Sequence, residues 1–315
     1  MTSPTRPSLR TRLRRSPEAA GLLWVAPWLI GGAVFMFLPM LLSLWYSLTD
    51  YPLLKPPAYV GLANYRELGS DDRFWLVVRN TAAYAAVSIP LMTLLSLVLA
   101  AMLTPRMQRS APGFWRTDRP ERLALVAVFI PTLVPMVAAA MLWMWLFNAR
   151  SGLINTALSW VGLRGPSWLE EPGWALPALV ITGLWGIGQG VVIYVAALRE
   201  VPTQLYEAAE IDGMGPVRRW AFVTLPMISP VILFNVITLT IGAVQVFAMP
   251  YILFRNERGQ KAAGDFYNLY LYDAAFVYQR MGYASAMAWI QLLVVLGLTG
   301  LMLWMSRRLV HYRVG

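Results

Sequence analysis

The sequence has no cysteine, one histidine (His311) and, over 315 residues, only 13% charged side chains. Each scarcity excludes something. Without thiols there is no disulfide scaffold, cysteine nucleophile or thiolate metal cluster, and a single histidine leaves no imidazole constellation for catalysis. Ordinary soluble domains carry about a quarter charged residues. A chain with half that share lacks the charge to cover a surface in water. Also absent is the Gly-x-x-x-x-Gly-Lys-[Ser/Thr] loop that cradles nucleotide phosphates. No internal repeat of three-helix halves, the mark of many secondary carriers, is visible either.

What is abundant is apolar. Hydrophobic residues make up 58% of the chain and mean hydropathy is +0.54. Six windows contain no Asp, Glu, Lys or Arg: 19–49, 80–105, 123–149, 172–198, 220–254 and 281–306. The shortest has 26 residues, and the next gap between charges, 151–163, has 13. A helix needs about 20 apolar residues to cross the hydrocarbon core, so six windows qualify and the seventh fails. Runs of this length are helices, not barrel strands. The expected fold is therefore all-α: a polytopic membrane protein with six transmembrane helices at about 22–48, 80–104, 123–147, 174–198, 227–254 and 284–306. The domain reading is a basic N-terminal tail 1–18, a membrane domain 19–306 containing a cytoplasmic loop 199–226, and a tail 307–315. The first window is read as a retained anchor, being too long for a cleaved signal and followed by no small-residue cleavage site.

The net charge of +10 belongs to this topology and not to nucleic-acid binding. With the N-terminus inside, the inner segments hold 16 Lys and Arg and the outer ones 10, which predicts both termini in the cytoplasm. Trp24, Trp28, Trp45, Trp143, Trp145, Trp174, Trp289 and Trp304 lie near span ends and are expected to form interfacial belts.

No Asp, Glu, Lys, Arg or His falls within any window. Ion-coupled carriers need such groups for relay or ion binding. A pathway here is lined by neutral groups, which suits a neutral polyhydroxyl solute and requires energy from outside the spans. The candidates for the substrate pathway are Gln189, Asn235, Thr238 and Gln245. Asn235 and Gln245 share a window interrupted by Pro226, Pro230, Gly242 and Pro250; Gln189 sits in the glycine-rich run 183–190, where small residues permit close packing or a bend.

The segment 199–226 reads as two short helices. Pro202 suits a helix start, Glu207, Ala208 and Ala209 form a helical core, and Gly213 after Asp212 provides a left-handed stop. Pro216 opens a second helix with Val217, Trp220, Ala221 and Thr224 on one face, and Leu225-Pro226 turns the chain into the fifth span. Composition alone leaves two readings open: a small-faced helix that inserts into a groove of a partner protein, or an amphipathic interfacial loop.

The pattern Glu207-Ala208-Ala209, Asp212-Gly213, Phe222, Leu225-Pro226 and Pro230 resembles the EAA loop of bacterial ABC importer permeases. Other segments resemble the carbohydrate-uptake branch of that family, the maltose- and glycerophosphate-type permeases. They are Val60 to Tyr65, Phe74-Trp75 with Asn80-Thr81, Ile130-Pro131 with Pro135, Trp145 to Asn148, and Met281 to Trp289. The likeness runs from Leu22 to Ser306. It departs at 255–264, where the family shows a short Gly-Gly-Pro-like turn and this chain has a basic segment containing Arg255, Arg258 and Lys261.

The resemblance implies a MetI-like type I importer permease in the bacterial plasma (inner) membrane. It implies a second homologous permease subunit, a homo- or heterodimeric ABC ATPase and an extracytoplasmic solute-binding protein as partners. The solute would be sugar-like, with membrane lipid around the spans and no nucleic acid. ATPase coupling would fall to Glu207 as the charge contact, Ala208 and Ala209 as the close-packed surface, and Asp212 and Gly213 at the turn. The chain would bind no cofactor and be no enzyme, with ATP and Mg held by the ATPase. The alternatives are the same machinery importing glycerol phosphate or another phosphodiester, a stand-alone carrier or facilitator, and a membrane scaffold.

Overall fold

Proline and glycine decide where the apolar windows bend. The computed structural model describes residues 17–108, 119–254 and 262–309. The first window forms α1 (Pro17–Gly32) and α2 (Leu38–Ser47), joined by a π-turn at Ala33–Phe37. Pro39 follows two residues after that turn. Its ring would strike the carbonyl four residues back, and it has no N–H to give; a wider i→i+5 turn accommodates both.

Contacts divide the chain into two compact units, one of Met1–Leu68 with Ala274–Trp289 and one of Gly69–Asp273 with Ile290–Gly315. In the first, β1 (Thr49–Asp50) and β2 (Ala58–Tyr59) form a small antiparallel hairpin, the one sheet among the described residues. Helix α3 (Ala63–Ser70) follows. Asn64 Nδ2 donates to the carbonyls of Ser47 and Thr49, both at 2.9 Å. The segment before the last helix is stitched to the hairpin by Leu53 N–H donating to the Gln279 carbonyl and Met281 N–H to the Tyr51 carbonyl. Gly282 is required there, because a Cβ would strike the Thr49 carbonyl.

The second unit is built on α4 (Asp72–Gln108). This helix starts eight residues before the expected span and so carries Arg73 and Arg79. The third window is two helices: α5 (Arg119–Phe129) and α6 (Met136–Leu146), separated by a 3-10 turn at Ile130–Leu133 and bent by 98°. Pro131 and Pro135 cause the break; Val134 is extended, the conformation favoured before a proline. Helix α7 (Leu153–Trp160) lies in the loop that follows. The fourth window is also a bent pair, α8 (Pro172–Trp185) and α9 (Gly188–Arg199) at 49°.

Beyond these come α10 (Thr203–Ile211), α11 (Pro216–Arg219), a π-turn at Trp220–Thr224 and α12 (Leu225–Val244). The last three form one continuous helix, Pro216–Val244. The expected turn at Leu225-Pro226 does not occur; the π-turn again ends two residues before a proline, and Leu225 N–H reaches back to the Trp220 carbonyl. Pro230 lies within α12 without breaking it. The chain then gives α13 (Ala248–Phe254), a 3-10 turn at Ala262–Gly264, α14 (Tyr267–Tyr272), a π-turn at Asp273–Val277 and α15 (Met281–Leu309).

Among the described residues four helices are long and apolar enough to cross a membrane, and six spans result if each bent pair counts as one. The protein is thus a polytopic helical membrane protein. In lipid, helices associate through close packing of small residues and not through apolar burial. Accordingly α4 packs along α9 and α12 with Ala100 and Ala197 buried between them, Gly190 against Ser96, and Gly188 so close to the Val128 carbonyl that no Cβ fits. Two apolar clusters result. One gathers Tyr84, Trp143, Phe147, Trp168 and Phe254; the other Leu97, Val191, Tyr194, Leu198 and Ile228. Trp143 therefore belongs to the packed interior and not to the expected belt, whereas Trp24 and Trp28 are 85% and 75% exposed.

Candidate functional site

Two places in the second unit carry the expected functional residues. The first is the loop after α9. Pro202, with φ −60° and ψ 131°, caps α10, its fixed φ setting the entry. The helix is closed by a Schellman turn: Met214 N–H donates to the Ala209 carbonyl and Gly213 N–H to the Glu210 carbonyl, with Gly213 at φ +73°. That conformation is what glycine supplies without a steric cost. Nothing lies within 4 Å of a Cβ built at Gly213, so only backbone conformation demands the glycine.

Glu207, Ala208, Asp212 and Gly213 are exposed. Ala209 is only 4% exposed and faces its own chain, which differs from its expected place on an outward surface beside Ala208. The reason is helical phase: Ala209 lies on the side of Tyr206 and Val201, which pack on the second apolar cluster. The expected apolar face of the next helix is also split. Val217 is 81% exposed and Thr224 2%. The π-turn inserts an extra residue, so the 3.6-residue period read across it loses register. From Thr224 onward the period is regular, and Ile228 and Asn235 are buried on the same side. Sequence reading missed Ile211, 87% exposed beside the Schellman turn. Val217 and Phe222 on the same loop are also exposed apolar side chains.

The second place is a cavity of about 200 Å³ between α4, the α8–α9 bend and α12. Gln189, Asn235 and Thr238 all line it; Gln245 does not, sitting instead as the exposed cap of α12. Thr238 Oγ1 donates back to the Phe234 carbonyl at 2.9 Å and Asn235 Nδ2 to the Val231 carbonyl at 3.3 Å. Each keeps hydrogen-bonding capacity toward the cavity. Thr93, Ser96 and Tyr194, which the sequence did not single out, line it too. The Thr93 hydroxyl and the Tyr194 hydroxyl, the latter beside Asn235, are buried without a hydrogen bond of normal geometry. No lining side chain is ionisable at neutral pH. The bend creates the opening: Gly186 ends α8 and faces the cavity, and glycine at 188 lets α9 close on α5.

A polar network was not foreseen. Arg73 Nε binds Asp265 Oδ2 at 2.7 Å and its Nη2 binds Asp273 Oδ2 at 3.1 Å, with the guanidinium 4.5 Å from the centre of the Tyr270 ring. The Tyr270 hydroxyl donates to Asp71, Asn80 Nδ2 to the Asp265 carbonyl, and Tyr267 N–H to the Thr81 hydroxyl. Together these fasten residues 265–273 to the first turns of α4. Burial pushes the Tyr267 hydroxyl pKa up, so it stays a neutral phenol. Most of the basic segment at 255–264 lies outside the described residues.

A multi-pass helical chain with neutral spans, a cavity within them and an exposed helix–glycine loop between two spans defines the membrane-embedded permease class of transport subunit. The chain belongs to the family of binding-protein-dependent transport system inner membrane components, which it matches over residues 110–311. It is 33% identical over 306 residues to the probable ABC transporter permease YesP of Bacillus subtilis, covering 96% of this chain and 95% of the relative. It is also 33% identical over 304 residues to the lactose transport system permease LacF of Rhizobium radiobacter, covering 95% and 97%. The trehalose/maltose transport system permease MalF of Thermococcus litoralis is 33% identical over 248 residues, 78% of this chain and 80% of that one. In fold the chain is similar to a subunit of a bacterial ABC transporter involved in import of the acidic polysaccharide alginate, with TM-score 0.80 at 22% identity over 95% of this chain and all of the other.

Proposed function

We propose that this chain is one of two permease subunits of an ATP-driven importer for a neutral sugar or oligosaccharide, with both termini in the cytoplasm. The observation that carries the reading is the exposed Glu207-Ala208 surface, closed by Gly213 and followed from Pro216 by one continuous helix that reaches the residues lining the cavity. An ATPase dimer would receive α10 in a cleft, Glu207 meeting a basic group and Ala208 permitting close approach. Closure of that dimer on ATP would then tilt α12 and change access to the pathway. Rigid-body alternation of this kind needs different contacts in two states. ATP and Mg would bind to the ATPase, and an extracytoplasmic solute-binding protein would deliver the cargo.

The neutral lining of the cavity supports a polyhydroxyl solute, as do the named sugars of the relatives LacF and MalF. A phosphodiester would be favoured by a cationic lining side chain, and none is among the described residues that line the cavity. The test is reconstitution of the chain with its partner permease, ATPase and binding protein in proteoliposomes. ATP-dependent uptake of a labelled sugar from a panel, and none of glycerol phosphate, is expected. Concentrative uptake without any ATPase would overturn the reading in favour of a stand-alone carrier.

A further inference from the structure

The loop helix must be joined mechanically to the spans if it is to move them, and its covalent connection is poorly suited to this. From Asp212 to Gly215 the chain passes through Gly213 at positive φ, and neither Gly213 nor Gly215 has a neighbour within 4 Å of a built Cβ. The ion pair from Arg219 to Glu210 is 3.4 Å long with a largely exposed Glu210, a geometry of small worth in water. One contact is different. The Tyr206 and Thr224 hydroxyls are 2.9 Å apart. Tyr206 is half-buried on the second apolar cluster, and Thr224 is 2% exposed.

The hydrogen bond of the Thr224 hydroxyl runs between helices. Thr104, Thr182, Thr238 and Thr240 each donate back to a carbonyl of their own helix. Thr224 instead engages a residue on α10. It is the last residue of the π-turn, and that extra residue rotates everything before it by about 100° relative to a regular helix. The turn that accommodates Pro226 thus also sets which side of the helix faces α10. From Thr224 to Asn235 is 11 residues of α12, a lever of about 16 Å reaching the cavity.

We propose that Tyr206 and Thr224 are positioning residues for energy coupling: their hydrogen bond locks α10 to the base of α12, so that displacement of the loop helix becomes displacement of the cavity wall. This rests on the reading of 199–226 as the coupling loop. The test uses the complete reconstituted complex and measures both ATP hydrolysis and sugar uptake, taking solute moved per ATP as the readout. Y206F and T224V are each expected to assemble with the ATPase and retain basal hydrolysis, while uptake per ATP falls about fivefold, the worth of one buried hydrogen bond. The double variant should be no worse than either single one, and T224S, which keeps the hydroxyl, should couple normally. An unchanged ratio in Y206F, or uptake and hydrolysis falling in equal proportion, would overturn the proposal. E207K, scored by co-purification of the ATPase and by uptake, separates the two claims. If E207K loses the ATPase and with it uptake while Y206F couples normally, the hydroxyl link alone is wrong. If E207K leaves both assembly and uptake intact, the loop is not the coupling element and both fail.

Discussion

Arg73 and Asp265 lie 192 residues apart in sequence and meet at 2.7 Å, with the Asp265 side chain only 4% exposed. A buried carboxylate is expensive unless paired, and removing its partner costs more than the pair contributes. The Arg73 side chain is 29% exposed, so solvent reduces the penalty. R73M is expected to destabilise the protein by about 2–3 kcal/mol and to speed proteolysis between residues 262 and 280. Thermal unfolding and limited proteolysis in detergent check this. Adding D265N to R73M should recover part of the loss, because the more deeply buried of the two carboxylates that Arg73 pairs is then neutral.

The glycines of the spans divide by what a methyl group would meet. At Gly188 a Cβ would collide with the Val128 carbonyl and Phe129 backbone, which have nowhere to go. G188A should cost about 1–3 kcal/mol through overpacking and open the α8–α9 bend. At Gly242, inside α12, nothing lies within 4 Å. G242A should stabilise by about 0.5–1 kcal/mol by relieving the entropy cost of helical glycine. Melting temperatures that shift the same way in both variants would contradict the packing seen around Gly188.

How much of this was legible in sequence follows from which interactions are local. Gaps between charges locate lipid-facing helices because a charge in lipid is costly wherever the chain goes next. Gly213 announced the end of α10 because the Schellman turn involves only neighbouring residues. The 98° bend at Pro131 and Pro135 was not seen, since hydropathy is blind to direction and prolines are tolerated inside membrane helices, as Pro230 shows. The buried face of α10 was missed because which side of a short, mixed helix meets the chain is decided by tertiary contact, and the phase shift at Trp220–Thr224 because Pro226 is compatible with a turn as well as with a π-turn. The partners of Arg73 arise from tertiary contact alone. Gln189, Asn235 and Thr238 met at one cavity through the α8–α9 bend, which the glycine run at 183–190 did foreshadow.

Within the loop, Glu207 and Gly213 should fail differently. Gly213 is needed for its φ of +73° and not for space, so G213A carries a conformational cost of about 1 kcal/mol and should reduce uptake without abolishing it. E207K reverses an exposed charge with no structural cost in the isolated chain and should abolish ATPase association while membrane insertion stays normal. Co-purification of the ATPase on a tagged permease distinguishes the two. Full transport by E207K would remove the charge contact from the coupling loop.

The cavity makes a prediction that separates its lining from nearby polar groups. Thr238→Val keeps shape and removes a hydroxyl that also bonds its own helix at Phe234, so folding should change little. Gln245, on the same helix but outside the cavity, is the control. If the lining contacts cargo during translocation, T238V loses a hydrogen bond worth about 1 kcal/mol at a step after delivery by the binding protein. Half-saturation, set by the binding protein, should then stay constant while maximal uptake falls about fivefold, and Q245A should leave both unchanged. A combined T238V and N235L variant should fall further, because Asn235 also lines the cavity and its loss removes a second polar group that could meet cargo. Should Q245A slow uptake as much as T238V, the pathway would follow the break after Val244 and bypass the cavity.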